Sequence, residues 1–293
     1  MSASPRLRDL TISDWREIVV RAGKNLLADN ASMLASALAY SSFFAIPSVL
    51  LLVVGVFTLT VGPQTITSLM HHVDHVMPAQ ATSLLGSSLK NLTAHPAQGV
   101  LMVVVGLVLA LWSTTGAMTS FMTAINVAYD RKDGRSFVRR RLIALKMVVA
   151  IGIALLLVAV LLIFGSPIEH AIATHAGGAE GVVAWVWWTA QWPILLFGLL
   201  AAFATLLDLA PDIDRPRRPF FTPGSLVAAL LWIATSGAFA VFTATFGSYN
   251  KTWGTLSAVI VTLTWLWLSA MALMLGAEIN AEAERSGRLR SGD

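Results

Sequence analysis

The chain has no cysteine among its 293 residues, so it holds no disulfide framework, thiolate metal site or thiol nucleophile. It is also poor in charge. Only 12% of the residues are Asp, Glu, Lys or Arg, while 56% are hydrophobic, and a soluble domain usually carries about twice that charged share. Those numbers argue against a water-soluble globular enzyme, and the same hydrophobicity excludes disorder. Histidine is confined to positions 71, 72, 75, 95, 170 and 175. The basic segments therefore lack the usual ligands of a metal-dependent nuclease or hydrolase. No G-x-x-x-x-G-K-[ST] loop is present to drive an ATP pump within this chain, and no G-x-S-x-G elbow to carry a serine nucleophile. No enzyme activity, metal or cofactor is expected.

Long uncharged runs are what the sequence does have. Six stretches without Asp, Glu, Lys or Arg occur at 30–73, 91–129, 147–168, 181–207, 219–250 and 252–277, each longer than the roughly 18–20 residues that cross a bilayer as helix. A charge at a helix centre costs roughly 2.5–3.5 kcal/mol on insertion scales. Runs such as VLMVVVGLVLALW and LLLVAVLLIF also lack the alternation of a transmembrane β-barrel. The expected fold is all-α, a polytopic membrane domain over 34–278. Its helices are placed at about 34–61, 99–127, 142–164, 184–207, 222–246 and 253–278. A polar segment, 1–33, precedes it and a tail, 279–293, follows.

Basic residues set the topology. Alternate hydrophilic segments hold 18 of the 20 Lys and Arg on one side and 2 on the other, which puts both termini in the cytoplasm by the positive-inside rule. The excess then reads as topology and attraction to anionic headgroups, not nucleic-acid binding. The polar start is no signal peptide, because no apolar region follows closely and no A-x-A site appears. Residues 14–27 place Trp15, Ile18, Val19, Ala22 and Leu26 at helical spacing. Such a helix lies in the membrane interface or caps the bundle. The first external loop, 62–98, shows two amphipathic patterns separated by Pro78. They predict a helical hairpin folded back as a lid or as a stabilising plug.

Within the spans, polarity is small and uncharged. The second helix carries Trp112, Ser113, Thr114, Thr115, Gly116, Thr119, Ser120, Thr123 and Asn126. Gly116 and Ser120 form a small-xxx-small pair, and the hydroxyls are expected to bond the preceding turn. Pro47 and Pro193 interrupt the first and fourth helices, a pattern met at transporter binding sites. A tight turn, FGSYNKTWG at 246–254, joins the last two helices, and Trp185, Trp187, Trp188 and Trp192 form an aromatic belt. His71 and His75 are four apart near Asp74, opposite the apolar stripe, where a solvated histidine is the default. The carboxylates nearest the core, Asp208 and Glu278, lie at cytoplasmic helix ends, where ion pairs with nearby arginines are expected.

The chain resembles the YihY/BrkB family of bacterial inner-membrane proteins. The resemblance rests on ALAYSSFFAIPSVLLL (37–52), LWSTTGAMTSFMTAINVAYD (111–130), TPGSLVAALLW (222–232) and FGSYNKTWGTLSAVIVTLTWLWLSAMALMLGAEINAE (246–282). It differs from the family's usual pattern at Trp253, where Tyr is frequent, and at the serine pair after Tyr40. The resemblance implies an inner-membrane location and six spans. An old attribution of the family to ribonuclease BN conflicts with the absence of an H-x-H-x-D-H cluster in this chain. By analogy with relatives linked to envelope lipid traffic, an amphiphile is the implied substrate.

Three functions stay open: transport of lipids or other amphiphiles in envelope biogenesis, secondary transport of a small solute, and assembly of other envelope proteins without transport. The candidate pathway residues are Trp112, Gly116, Asn126, Tyr249, Asn250 and Lys251. The candidate cytoplasmic mouth holds Asp208, Glu278, Arg139, Arg140, Arg141, Arg215, Arg217 and Arg218. Those arginines gather anionic headgroups or simply fix topology. Membrane lipids are the expected partners, with a second copy or another envelope protein as the macromolecular alternative.

Overall fold

The computed structural model describes residues 11–60, 96–154, 156, 180–213, 219–245 and 255–291. All regular structure among these residues is helical. The helices are α1 (Ile12–Ala28), α2 (Ala31–Thr60), α3 (Pro96–Ala128), α4 (137–154), α5 (Glu180–Leu209), α6 (Pro223–Thr245) and α7 (Thr255–Ser291). Five segments are long and apolar enough to cross a membrane: Ala31–Val53, Val103–Ala128, Trp185–Leu209, Pro223–Ala244 and Leu256–Gly287. The other expected span, 142–164, leaves the described residues after 156. The hairpin of 62–98 up to residue 95, all six histidines and the turn at 246–254 also lie outside them.

The chain divides into two compact units, Ser41–Ala117 and the pair of segments Met1–Tyr40 and Met118–Asp293. In the smaller unit, α2 and α3 meet closely at Gly106, where a Cβ would stand 3.1 Å from the amide nitrogen of Leu52. The hydroxyl of Ser113 donates to the Ala110 carbonyl and that of Thr115 to the Leu111 carbonyl. These groups satisfy themselves within their own helix, as short polar side chains in apolar helices commonly do. Large apolar side chains stay on the outside, as at Trp112, which is 69% exposed.

The larger unit is built on α7, which packs most extensively on α6, then on α1 and α5. Its core buries Leu38, Met122, Ile125, Met147, Leu207 and Leu273. Small residues let α6 and α7 approach until their backbones touch at Gly224 and Gly276. Farther along, Trp232 Nε1 donates to Ser269 Oγ at 2.9 Å and Trp265 Nε1 to Ser236 Oγ at 3.1 Å. Each indole thereby hides its polar handle in the partner helix.

One boundary differs markedly from the sequence reading. α7 does not stop at 278 but runs as one helix to Ser291. Ala, Glu and Arg favour helix, and Ile279 and Ala283 are buried against Ile18 and Ala22 of α1. α1 therefore docks on the bundle along that stripe. It starts with a capping box in which Thr11 and Asp14 bond each other's backbone amides. It ends at Asp29, followed by Asn30 with φ 52°, the left-handed residue that turns the chain into α2.

Candidate functional site

The sharpest chemistry lies at the arginine-rich end of the larger unit, where α3 ends, α4 begins and α5 ends, with Arg285 of α7 paired to Asp130. The end of α3 is closed by a left-handed residue, Asp130, with φ 49°. The Arg131 amide donates to the Asn126 carbonyl at 2.9 Å and the Asp130 amide to the Val127 carbonyl at 2.8 Å, the paired bonds of a Schellman motif. Asn126 is 2% exposed. Its Nδ2 donates to the Met122 carbonyl at 2.8 Å, and its Oδ1 accepts the Asp212 amide at 2.7 Å. One amide side chain thus ties the loop after α5 to the last turn of α3.

Beside it lies a buried ion cluster. The side chains of Arg135 and Asp133 are 3% and 7% exposed, with Arg135 Nε 2.9 Å from Asp133 Oδ1. Arg135 Nη1 and Nη2 donate to the carbonyls of Leu209 and Ala210, where the dipole of α5 presents partial negative charge. Asp212 accepts the Gly134 amide at 2.9 Å and stands 3.5 Å from Arg135 Nε. Arg140 Nε lies 3.0 Å from Asp133 Oδ2. That contact is an ion pair by distance but lacks the alignment of a hydrogen bond. Arg140 Nη2 also donates to Thr123 Oγ1 at 2.7 Å. Thr119, Ser120 and Thr123 of α3 and Phe137, Arg140 and Arg141 of α4 line a hollow of about 170 Å³.

A second polar niche sits where α7 leaves its apolar stretch. Glu278 is completely buried, and neither carboxylate oxygen has a hydrogen-bond partner of satisfactory geometry. Its carboxyl faces that of Asp29, with Arg285 and Asp130 within electrostatic reach. Two carboxylates have no donor between them unless one carries a proton. Arg285 makes no bond to Glu278, being engaged with Asp130 and Glu282. Glu282 in turn accepts from Asn25 Nδ2 at 3.0 Å. Nearby, Asn280 Oδ1 accepts the Gly224 amide and Asn280 Nδ2 donates to Thr222 Oγ1, both at 2.8 Å. Thr222 and Ser225 exchange side chain-to-amide bonds of 3.2 and 3.0 Å, closing the start of α6 as a capping box.

These positions sort the sequence expectations. Asn126 and Glu278 both lie in the buried polar end; among the described residues Glu278 makes no ion pair with an arginine, and Arg285 is engaged with Asp130 and Glu282. Asp208 is half-buried on α5. Arg139 is exposed, and Arg140 and Arg141 are half-buried around the hollow. Trp112 is on the outside of the smaller unit, and a Cβ at Gly116 would meet no heavy atom of the described residues within 4 Å. Tyr249, Asn250, Lys251, Arg215, Arg217 and Arg218 lie outside the described residues. Sequence reasoning missed Asp29, Asp130, Asp133, Arg135, Asp212 and Asn280. For Asp130, Asp133, Arg135 and Asp212 the one signal is the concentration of charge in VAYDRKDGR and APDID, at the two span ends that the fold brings together.

Apolar helices with exposed apolar faces and a charged, hydrogen-bonded end define a multi-pass membrane protein. The chain belongs to the family described as Virulence factor BrkB, whose profile matches residues 22–292. It is 30% identical over 249 residues to the ribonuclease-like protein YfkH of Bacillus subtilis, covering 85% of this chain and 89% of that protein. It is 38% identical over 96 residues to a UPF0761 membrane protein of Azotobacter vinelandii, a match to 33% of this chain and 23% of the relative. With the UPF0761 membrane protein YihY of Escherichia coli it shares 33% identity over 87 residues, 30% of this chain and 29% of that one. No solved structure matches.

Proposed function

We propose that this protein is a non-enzymatic transporter of the bacterial inner membrane that moves lipids or other amphiphiles during envelope biogenesis. The observation that carries this reading is the division of polarity along the helices. The polar groups of their apolar lengths are mainly small hydroxyls, largely satisfied by their own carbonyls, whereas two arginines and three hydroxyls meet in a hollow at one end. An amphiphile needs that combination, an apolar track for its chains and a polar station for its headgroup. The basic end faces the cytoplasm in this reading.

A second reading, secondary transport of a small solute, is favoured by Glu278. An unsatisfied carboxyl at the end of an apolar run is the group on which proton coupling is built in transporters, and it stands opposite a second carboxyl, Asp29.

Reconstitution separates the two. The purified protein in liposomes would be assayed with headgroup-labelled anionic and zwitterionic lipids and a membrane-impermeant quencher, with and without a proton gradient. Lipid movement above that of protein-free vesicles supports the first reading. Absence of movement under both conditions sinks it, and gradient-dependent uptake of a soluble solute then supports the second.

A further inference from the structure

We infer that α1 is a two-faced helix lying on the bilayer surface. One side docks on α7; the other, formed by Ile12, Val19, Val20 and Leu27 with Arg16 and Lys24, contacts anionic lipids. The inference is independent of any transport.

The sequence builds both faces. Ile18 and Ala22 form the stripe buried with Ile279 and Ala283 of α7, and Trp15 packs beside it. On a wheel of 3.6 residues per turn, Val19, Ile12, Arg16, Leu27 and Val20 follow one another within an arc of about 100°. That arc is open. Ile12 is 90% and Leu27 80% exposed, and Val19 and Val20 are exposed beside them. Four large aliphatic side chains on one open arc, with basic residues among them, are the pattern of a helix at a membrane surface. A helix bathed in water on that side keeps its outer positions polar.

The level at which α1 docks points to lipid as the occupant. Ile279 and Ala283 flank Asn280, which bonds the Gly224 amide and Thr222 at the start of α6. Val227, in the opening turns of α6, borders the same cluster as Ile18. Only Asp29 and Asn30 separate α1 from α2, whose apolar run begins at Ala31. α1 therefore sits where two apolar spans begin. Its open surface also continues onto α2 across the Asn30 turn. Leu27 gives its carbonyl to the Asn30 amide, the Asn30 carbonyl accepts the Met33 amide, and the side chains of Leu27 and Met33 are both exposed.

Charge selects the kind of lipid. Arg16 stands within the apolar arc and Lys24 about 40° beyond Val20, and both are exposed. Neither has an ion-pair partner among the described residues, and Glu17, the acid on the Lys24 side of the wheel, is paired with Arg21. A second copy or another protein seated on the arc would bury Arg16 between Ile12 and Leu27, and a buried cation without a counter-charge is costly. At a bilayer surface the arginine stem lies on the acyl chains while the guanidinium rises to a phosphate. Anionic lipids of the cytoplasmic leaflet, on the basic side by the positive-inside rule, supply that counter-charge.

The lack of any cysteine in the chain makes a direct test possible. Val20→Cys, Leu27→Cys and, on the polar side, Glu17→Cys would each carry an environment-sensitive fluorophore in the full chain held in nanodiscs. The discs contain phosphatidylcholine alone or with phosphatidylglycerol. A nitroxide on the upper acyl chain probes lipid contact, and aqueous acrylamide probes water. In anionic discs the labels at 20 and 27 are expected to be quenched by the nitroxide, and several-fold less by acrylamide than the label at 17. Arg16→Gln together with Lys24→Gln is expected to weaken the preference for anionic discs about fivefold per charge. All the substituted side chains are exposed, so unfolding midpoints are expected to stay at the native value. Acrylamide quenching at 20 and 27 equal to that at 17 overturns the inference in favour of a wet face. Shielding from both quenchers overturns it in favour of a protein occupant. Equal nitroxide quenching in both kinds of disc, or no response to the loss of both charges, overturns the anionic-lipid assignment.

Discussion

A Cβ placed on Gly224 would stand 2.0 Å from the carbonyl oxygen of Gly276, and one placed on Gly276 would stand 2.6 Å from that of Gly224. The two backbones meet with nothing between them, and neither obstacle is a side chain that can swing aside. Gly224→Ala and Gly276→Ala are each expected to cost about 3 kcal/mol or more, the upper range for overpacking. Thermal unfolding in detergent reads this. A midpoint within a degree or two of the native protein in either variant would show that α6 and α7 are not so closely apposed.

Asn280 holds the start of α6 from the neighbouring helix. Asn280→Ala removes the acceptor for the Gly224 amide and the donor to Thr222 in one step. A loss of about 1–3 kcal/mol is expected, as for a buried donor left without its partner. Ser225→Ala removes only the local half of the cap and is expected to cost about 1 kcal/mol. The order of the two, read from the same unfolding curves, is the informative result.

Arg135 is expected to be the least replaceable charge of the protein. Arg135→Gln leaves Asp133 buried without its closest cation and the carbonyls of Leu209 and Ala210 without a donor. Breaking a buried pair from one side costs about 3–5 kcal/mol. Asp133→Asn introduced into that variant removes the stranded carboxylate and is expected to return part of the stability. A double variant no better than the single one would mean that Arg135 acts on α5 alone.

Glu278 should behave in the opposite way. Glu278→Gln keeps the shape and removes a carboxylate that faces Asp29 and has no satisfactory partner, so the unfolding midpoint is expected to hold or rise. Glu278→Ala empties buried volume and is expected to cost about 2 kcal/mol. If uptake of any solute depends on a proton gradient, Glu278→Gln is expected to abolish that dependence without loss of folding. Gradient-driven uptake that survives the change would remove Glu278 from the coupling path.

The spans were legible because lipid solvation makes charge-free length an almost sufficient signal. Expected limits of 99–127 and 222–246 compare with Pro96–Ala128 and Pro223–Thr245. The sequence reading ends α7 too early because Glu282 and Arg285 read as part of a polar tail that begins at 279. Leu275, Ile279 and Ala283 at spacings of four nevertheless continued an apolar stripe through them, and that stripe receives α1. Asn126 could be singled out as an amide at a span end. Its bond to Asp212 could not, because the two stand 86 positions apart and only the helix packing brings them together. The hollow has the same history. Its arginines and hydroxyls were each visible, the first as a topology signal and the second as helix polarity, while their meeting depends on how α4 folds back beside α3.

α7 has mechanical consequences as well. A helix of 37 residues is about 55 Å long at 1.5 Å per residue, whereas the hydrocarbon core of a bilayer is about 30 Å thick. The rod is therefore roughly 25 Å longer than the hydrocarbon is thick, and α1 is fastened to its C-terminal half through Ile18, Ala22, Ile279 and Ala283. A tilt of about 10° pivoting at the membrane boundary carries the far end some 4 Å sideways over such an arm. Bilayer thickness, which sets helix tilt, is thereby geared to the position of the helix docked on that rod.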